Sequence, residues 1–234
     1  MIPFLIVLLI VLVGALLYWL LVATEGVFLG RRVVIWLYDI TAHRYDKIKE
    51  FDPEDERYNI TIPIIRILNE TDRPIILDVA TGSGRVPWDL GNDPGFDGLI
   101  IGLDPARKML DQAVRKLEKA SVTLGSNSSQ ALLVQSTAYP LPFGTSIFAS
   151  VTCLESLEFF PSARPALVEM FRVMKPGAFL MTSRRRGIRG KLFLGRYQSI
   201  EEFESTLAGI GFDEIKTRLW ELDYDMVTAR KPSI

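Results

Sequence analysis

Two acidic residues hold the positions best suited to chemistry in this chain: Asp78, near the end of the apolar run Ile75 to Val79, and Asp104, which closes the run Leu99 to Leu103. The first run leads into Ala80-Thr81-Gly82-Ser83-Gly84-Arg85, a glycine-rich turn of the kind that lets backbone approach a ligand at the carboxyl edge of an open α/β sheet. A carboxylate about 20 residues further on, at the end of the neighbouring strand, accepts hydrogen bonds from both hydroxyls of a ribose. The pair points to a nucleoside-bearing cofactor without choosing which one. A dinucleotide fingerprint requires a third glycine for close helix packing, and here Gly84 is followed by Arg85, Val86 and Pro87. NAD is accordingly the alternative cofactor. Asp104 precedes Pro105, so the same carboxylate can also cap the next helix, and both glycines can also serve a plain tight turn.

Glu155 and Glu158 follow a third apolar run, Phe148 to Cys153, and at i, i+3 spacing would share a helical face. Glu155 is the candidate catalytic residue; solvated glutamates at a strand end are the plainer reading. Arg184, Arg185 and Arg186, with Arg189, Lys191 and Arg196, leave the run Phe179 to Ser183. Such a cluster either contacts anionic headgroups or an acidic acceptor, or forms a solvated basic loop. Cys153 and His43 are each the only residue of their type, so no intrachain disulfide, and no metal or triad built on them, is expected. A formal net charge of -1 gives no global attraction to nucleic acid.

Apolar runs alternating with helical periodicity predict a parallel sheet with crossover helices. The expected strands are 75–79, 99–103, 132–135, 148–153 and 179–183, followed by an antiparallel hairpin of 213–219 and 225–229 at the sheet edge. Leu110, Ala113, Val114 and Leu117 mark one helix, and Leu167, Met170, Phe171 and Met174 another, which Pro176 and Gly177 end. Ser199 and Glu202 form a capping box opening a helix that buries Ile200, Phe203 and Leu207. Residues 125–130 read as a polar loop.

These residues resemble the class I S-adenosylmethionine-dependent methyltransferases, particularly the ubiquinone/menaquinone-type branch, from about Tyr38 to the C-terminus. LDVATGSGR is similar to the family's first motif and GLDPARKML to its second. YPLPFGTSIFASVTCLESLEFF is similar to the stretch around the fourth strand, and RVMKPGAFL to the segment leading into the fifth. YDITAHRYD resembles the cap region of the branch. The resemblance implies a Rossmann-like, doubly wound, seven-stranded and mostly parallel α/β sheet, with S-adenosyl-L-methionine as cofactor. It also implies that Asp78, Ala80, Gly82 and Gly84 hold the methionine portion, that Asp104 holds the ribose, that the Ala138 amide meets adenine, and that Tyr45 closes over the cofactor. Three positions depart from the pattern. Thr137 stands where an acid usually binds the adenine amino group, Ala149 where an aspartate is common, and Ala80 replaces the first glycine. Losing the charge-assisted bond at Thr137 is expected to weaken cofactor binding by about 1 kcal/mol.

No charged residue lies between Ile2 and Ala23. At about 1.5 Å per residue this stretch covers the roughly 30 Å hydrocarbon layer, so it is expected to be a single membrane-spanning helix rather than a cleaved leader. Arg31 and Arg32 after it place the catalytic domain on the cytoplasmic side. Tyr18 and Trp19 suit either the headgroup level or core packing, and 27–38 is expected to lie along the interface or dock on the domain. The expected organisation is an anchor over 1–24, a juxtamembrane and cap segment over 25–57 and a methyltransferase domain over 58–234. The acceptor is expected to be a small molecule or a lipid, with no nucleic-acid partner. The rival readings are an NAD-dependent oxidoreductase and a non-catalytic, membrane-tethered nucleoside-binding domain.

Overall fold

The computed structural model describes residues 2–49, 51–124 and 130–233. Seven strands form one sheet: β1 Ile75–Val79, β2 Leu99–Asp104, β3 Gln130–Gln135, β4 Phe148–Cys153, β5 Met174–Arg185, β6 Asp213–Leu219 and β7 Tyr224–Arg230. Their order is β3-β2-β1-β4-β5-β7-β6, with β1 to β5 parallel and β7 antiparallel to both β5 and β6. Successive strands step away from β1 in one direction and, from β4, in the other. The β1/β4 boundary is therefore the switch point, where the loops diverge and open a crevice.

The helices are α1 Ile2–Tyr18, α2 Arg31–Thr41, α3 Tyr45–Lys49, α4 Pro53–Glu56, α5 Ile62–Leu68, α6 Arg85–Asn92, α7 Arg107–Leu124, α8 Ala163–Val173, α9 Gly187–Lys191 and α10 Ile200–Ala208. Because helices cover both faces, β1 and β4 are apolar nearly throughout rather than alternating. Leu77 and Val79 of β1 pack with α8 and α10, while Ile76 packs with α5 and α6. The polar residues that interrupt β4 are satisfied inside the sheet: the Ser150 hydroxyl donates to the Phe179 carbonyl at 3.0 Å and the Thr152 hydroxyl to Asp78 Oδ1 at 2.6 Å. Left unpaired, each would cost on the order of 1–3 kcal/mol.

Several boundaries differ from the sequence reading. β5 begins at Met174, directly after α8, so Pro176 and Gly177 lie within the strand rather than in a turn before it. The capping box at Ser199 is present, but Ile200 is 38% exposed, because α10 turns only Phe203 and Leu207 inward. The expected polar loop falls at 125–129, outside the described residues, and Gln130 opens β3.

Pro3–Ala23 is long and apolar enough to cross a membrane, and the rest of the chain does not bury it. Its last turn widens over Trp19–Ala23 and meets the domain there. Trp19 stacks on Phe28 with ring centroids 4.8 Å apart and donates from Nε1 to the Leu192 carbonyl, whereas Tyr18 is exposed. Val27 and Val34 are buried against Phe193, so the segment after the helix docks on the domain.

Candidate active site

A cleft of about 270 Å³ opens at the carboxyl ends of β1, β2 and β4. Asp104 lies on its wall, buried, with Oδ2 accepting from the Gly82 amide at 2.9 Å and Oδ1 from the Ala106 amide at 2.8 Å. The carboxylate thus ties the first turn to the start of α7 while each oxygen keeps a lone pair for a ribose hydroxyl. Burial outweighs these two bonds and pushes its pKa up to about 6. Asp78 lies behind the cleft wall beside its register partner Thr152. Burial raises it to about 6 as well, against the hydrogen bond from Thr152.

Ala80 and Gly82 line the cleft, both left-handed at φ +59° and +56°. Alanine there carries a penalty of about 1–2 kcal/mol that glycine would avoid, so Ala80 is strained on the cleft wall. Gly84 does a different job. Its hypothetical Cβ would lie 2.8 Å from Ala113 Cβ, so it lets α6 pack closely on α7, the role expected of a third glycine. Thr137, Ala138 and Tyr45 also line the cleft. The Thr137 hydroxyl donates to the Tyr139 carbonyl at 3.0 Å, which leaves its oxygen free to accept from an amino group. Ala149, the other departure, is buried in the sheet core with Ile76, Ile100 and Phe179, where a carboxylate would be costly.

Glu155 and Glu158 do not share a helical face. Glu155 is left-handed at φ +48°, and the two side chains enter separate networks. Glu158 accepts from the Tyr224 hydroxyl at 2.5 Å and from Arg185 at 3.1 Å. Glu155 reaches the cleft wall, where Lys49 and Arg85 hold its oxygens at 2.5 and 2.7 Å. Burial would raise the Glu155 pKa, but the two cations keep it below the ordinary range. A carboxylate held this way is a weak proton acceptor. Arg85 is the hub: it is also 3.2 Å from buried Glu56 and lies over the Phe51 and Trp220 rings. Desolvation pushes Glu56 up to about 7 against the pull of Arg85. Arg85 closes the first motif, and its place at the strand-to-helix turn is the sequence signal for this role.

The basic cluster is largely spent on the protein itself. Arg184 bonds Asp225 and the Gln198 carbonyl, Arg185 bonds Glu158 and Tyr224, and Arg186 lies 3.5 Å from Asp225. Arg196 donates to the carbonyls of Phe160 and Val27, tying the segment after the apolar helix to the loop after β4. His43 is exposed, away from the cleft.

The far end of the cleft is apolar and was not foreseen: Val34, Ile35 and Tyr38 of α2 face Phe159, Phe160, Pro161 and Pro165. Tyr38 donates to Glu25 Oε2 at 2.9 Å, which fixes α2 to the end of the N-terminal helix segment.

A family model described as a methyltransferase domain matches residues 77–182. The demethylmenaquinone methyltransferase of Shouchella clausii is 31% identical over 174 residues, covering 66% of this chain and 72% of that one. The chain belongs to the class I S-adenosylmethionine-dependent methyltransferases. Within this family the Lactococcus lactis demethylmenaquinone methyltransferase is 35% identical over 102 residues, 44% of this chain, and the match spans only 38% of that relative. Among solved structures, the cyclase SpnF superposes with a TM-score of 0.68 at 16% identity, covering 87% of this methyltransferase and 97% of that chain. This shows a shared fold. The family's cofactor, S-adenosylmethionine, fits the residues present: a buried carboxylate with free lone pairs for the ribose, an open backbone at Gly82, and a hydroxyl acceptor at Thr137.

Proposed function

We propose that this methyltransferase transfers the methyl group of S-adenosylmethionine to a lipophilic small-molecule acceptor, quinone- or lipid-like, at a membrane surface. The observation that carries the reading is the apolar half of the cleft, built by the helix that follows the membrane-length segment. S-adenosylmethionine held there would supply an electrophilic methyl group to the acceptor's nucleophilic atom, with sulfur keeping the electron pair of the bond given up. Asp104 holds the ribose, while Ala80, Gly82 and Asp78 shape and charge the seat of the methionine portion. Thr137 and Ala138 meet the adenine, and Tyr45 covers the site.

The chain's task is then to align two reactants and exclude water, which accounts for a large part of the rate of such transfers. The tyrosines are poor bases at neutral pH, since burial raises Tyr45 to about 12 and Tyr38 well above its ordinary value. Glu155 fixes Arg85 and Lys49 and so positions the cleft wall. The acceptor brings its own nucleophile. We further propose that Pro3–Ala23 spans the membrane once with the catalytic domain on the cytoplasmic side, because Arg31 and Arg32 follow the apolar segment.

Incubating the full chain with S-adenosylmethionine labelled in its methyl group and a membrane lipid extract tests the acceptor class. Label is expected in the organic phase. Label appearing only in water-soluble product refutes the lipophilic acceptor, and absence of heat on calorimetric titration with S-adenosylmethionine and S-adenosylhomocysteine refutes the cofactor assignment.

A further inference from the structure

Ile188, Leu194 and Leu222 belong to neither the core nor the cleft. Leu222 at 86% and Ile188 at 82% are the most exposed large apolar side chains among the described residues, and Leu194 is 63% exposed. Three contacts place them around the point where the apolar helix segment meets the domain. Trp19 bonds the Leu192 carbonyl, two residues before Leu194. Phe193 is buried against Val27 and Val34, directly after that helix segment. Leu222 and Arg189 edge one cavity with Glu25, and Asp223 pairs with Arg189 at 2.9 Å. Exposed Lys191 on α9 and Arg31 and Arg32 at the start of α2 are basic, while Arg189 is paired with Asp223, which with Glu221 flanks Leu222 and is only partly exposed. Apolar tips set among basic side chains match a headgroup layer, where the tips reach acyl chains and the cations meet lipid phosphate.

We propose that α9 with residues 192–195, together with the β6–β7 turn at Leu222, is a second membrane contact, resting in the headgroup layer of a phospholipid bilayer. The occupant is lipid because the surface is continuous with the end of a membrane-length helix, and the inference rests on the reading of Pro3–Ala23 as a membrane span. The second contact fixes how the domain sits. Arg31, on the cleft lining, lies beside the same surface, so the apolar half of the cleft opens toward the bilayer and an acceptor enters without crossing bulk water. A single helix would leave the domain free to tumble on its tether.

The test uses the full chain with Cys153→Ala, reconstituted in phosphatidylcholine vesicles containing a minority of phosphatidylglycerol. Nitroxide labels are placed at Ile188→Cys, Leu194→Cys and Leu222→Cys, with Leu12→Cys reporting the anchor and Leu132→Cys, on the opposite edge of the sheet, as an aqueous control. Retained S-adenosylhomocysteine binding confirms each fold. Labels at 188, 194 and 222 are expected to be reached better by oxygen than by a water-soluble nickel complex, as at Leu12, with the reverse at Leu132. Aqueous behaviour at all three with a buried Leu12 label overturns the platform alone. Aqueous behaviour at Leu12 as well overturns the membrane span and the platform together. Labels shielded from both reagents mean a protein contact and also overturn the proposal. The unsubstituted chain gives an independent reading: a photoactivatable phospholipid is expected to leave adducts within 187–195 as well as on the helix, and adducts confined to the helix count against the platform.

Discussion

At the end of the cleft proposed to hold the cofactor most of the lining comes from residues within a few positions of a strand terminus, Ala80 and Gly82 after β1, Asp104 at the end of β2, Thr137 and Ala138 after β3, joined by Tyr45 of α3. At the apolar end, proposed to take the acceptor, the lining comes from α2, from Phe159 to Pro161 and from the start of α8, segments remote in sequence that meet only because α2 docks on the domain. One end is made by short-range turns on a rigid sheet and largely by backbone, so it tolerates few substitutions and suits a fixed ligand. The other is made by side-chain packing, so it can change its occupant without disturbing the first. Arg85, Glu155, Lys49 and Glu56 lie at the boundary and join the two.

The largest effect is expected at that boundary. Arg85→Met leaves Glu56 and Glu155 buried without their shared cation and should destabilise the protein by about 3–5 kcal/mol, read as a fall in melting temperature. Adding Glu56→Gln and Glu155→Gln should recover part of the loss. Failure of the double addition to recover any stability would mean that the charges are not what Arg85 serves.

At the cofactor end, Asp104→Ala removes bonds to two ribose hydroxyls at about 1.5–3 kcal/mol each and should weaken S-adenosylhomocysteine binding by at least about 100-fold in calorimetry. The same residue gives a pH signature. Its carboxyl is raised in the folded state from 3.8 to about 6, so the native protein binds the extra proton between those values. Stability of the free protein therefore falls as pH rises through that window. Cofactor affinity runs the other way, highest above about pH 6, where the carboxylate is ionised, and declining below it. Asp104→Asn should flatten its part of both dependences.

At the acceptor end, Ile35→Trp fills the apolar half and should raise the KM for a lipid-extract acceptor by about 10-fold, a cost of roughly 1.4 kcal/mol, with the cofactor Kd unchanged. A parallel shift in both constants would show that the two ends are not separable. The smallest effect is a gain: Ala80→Gly relieves the left-handed strain and should stabilise the protein by about 1 kcal/mol, measured by denaturant midpoint.

The sheet was legible because the central parallel strands β1, β2 and β4 are buried on both faces and read as mainly apolar runs bounded by Gly, Pro, Asp or Ser. β1 and β4 appear with their expected bounds, and β2, β3, β6 and β7 to within two residues at each end. β5 was underestimated because Lys175 and Pro176 look like a breaker when seen locally, yet Met174 already pairs with Phe148 of β4 and, past an irregularity, the register resumes at Phe179. The place of Asp104 on the cleft wall was legible for the same local reason: its partners, Gly82 and Ala106, are set by the turns that flank the strands.

What the amino-acid sequence determined unaided was whatever depends on neighbours along the chain: the strand-turn-helix units, the capped helices, the apolar segment at the start and the glycine-rich turn after β1. Tertiary structure alone decided the rest. It paired Glu155 with two cations from other segments, turned the arginine run inward onto Asp225, Glu158 and backbone carbonyls, and laid α2 over the cleft as its apolar wall. A charge or an apolar face has no role until its partner is brought within a few ångströms, and that partner is supplied by how the helices pack across the sheet rather than by position in the chain.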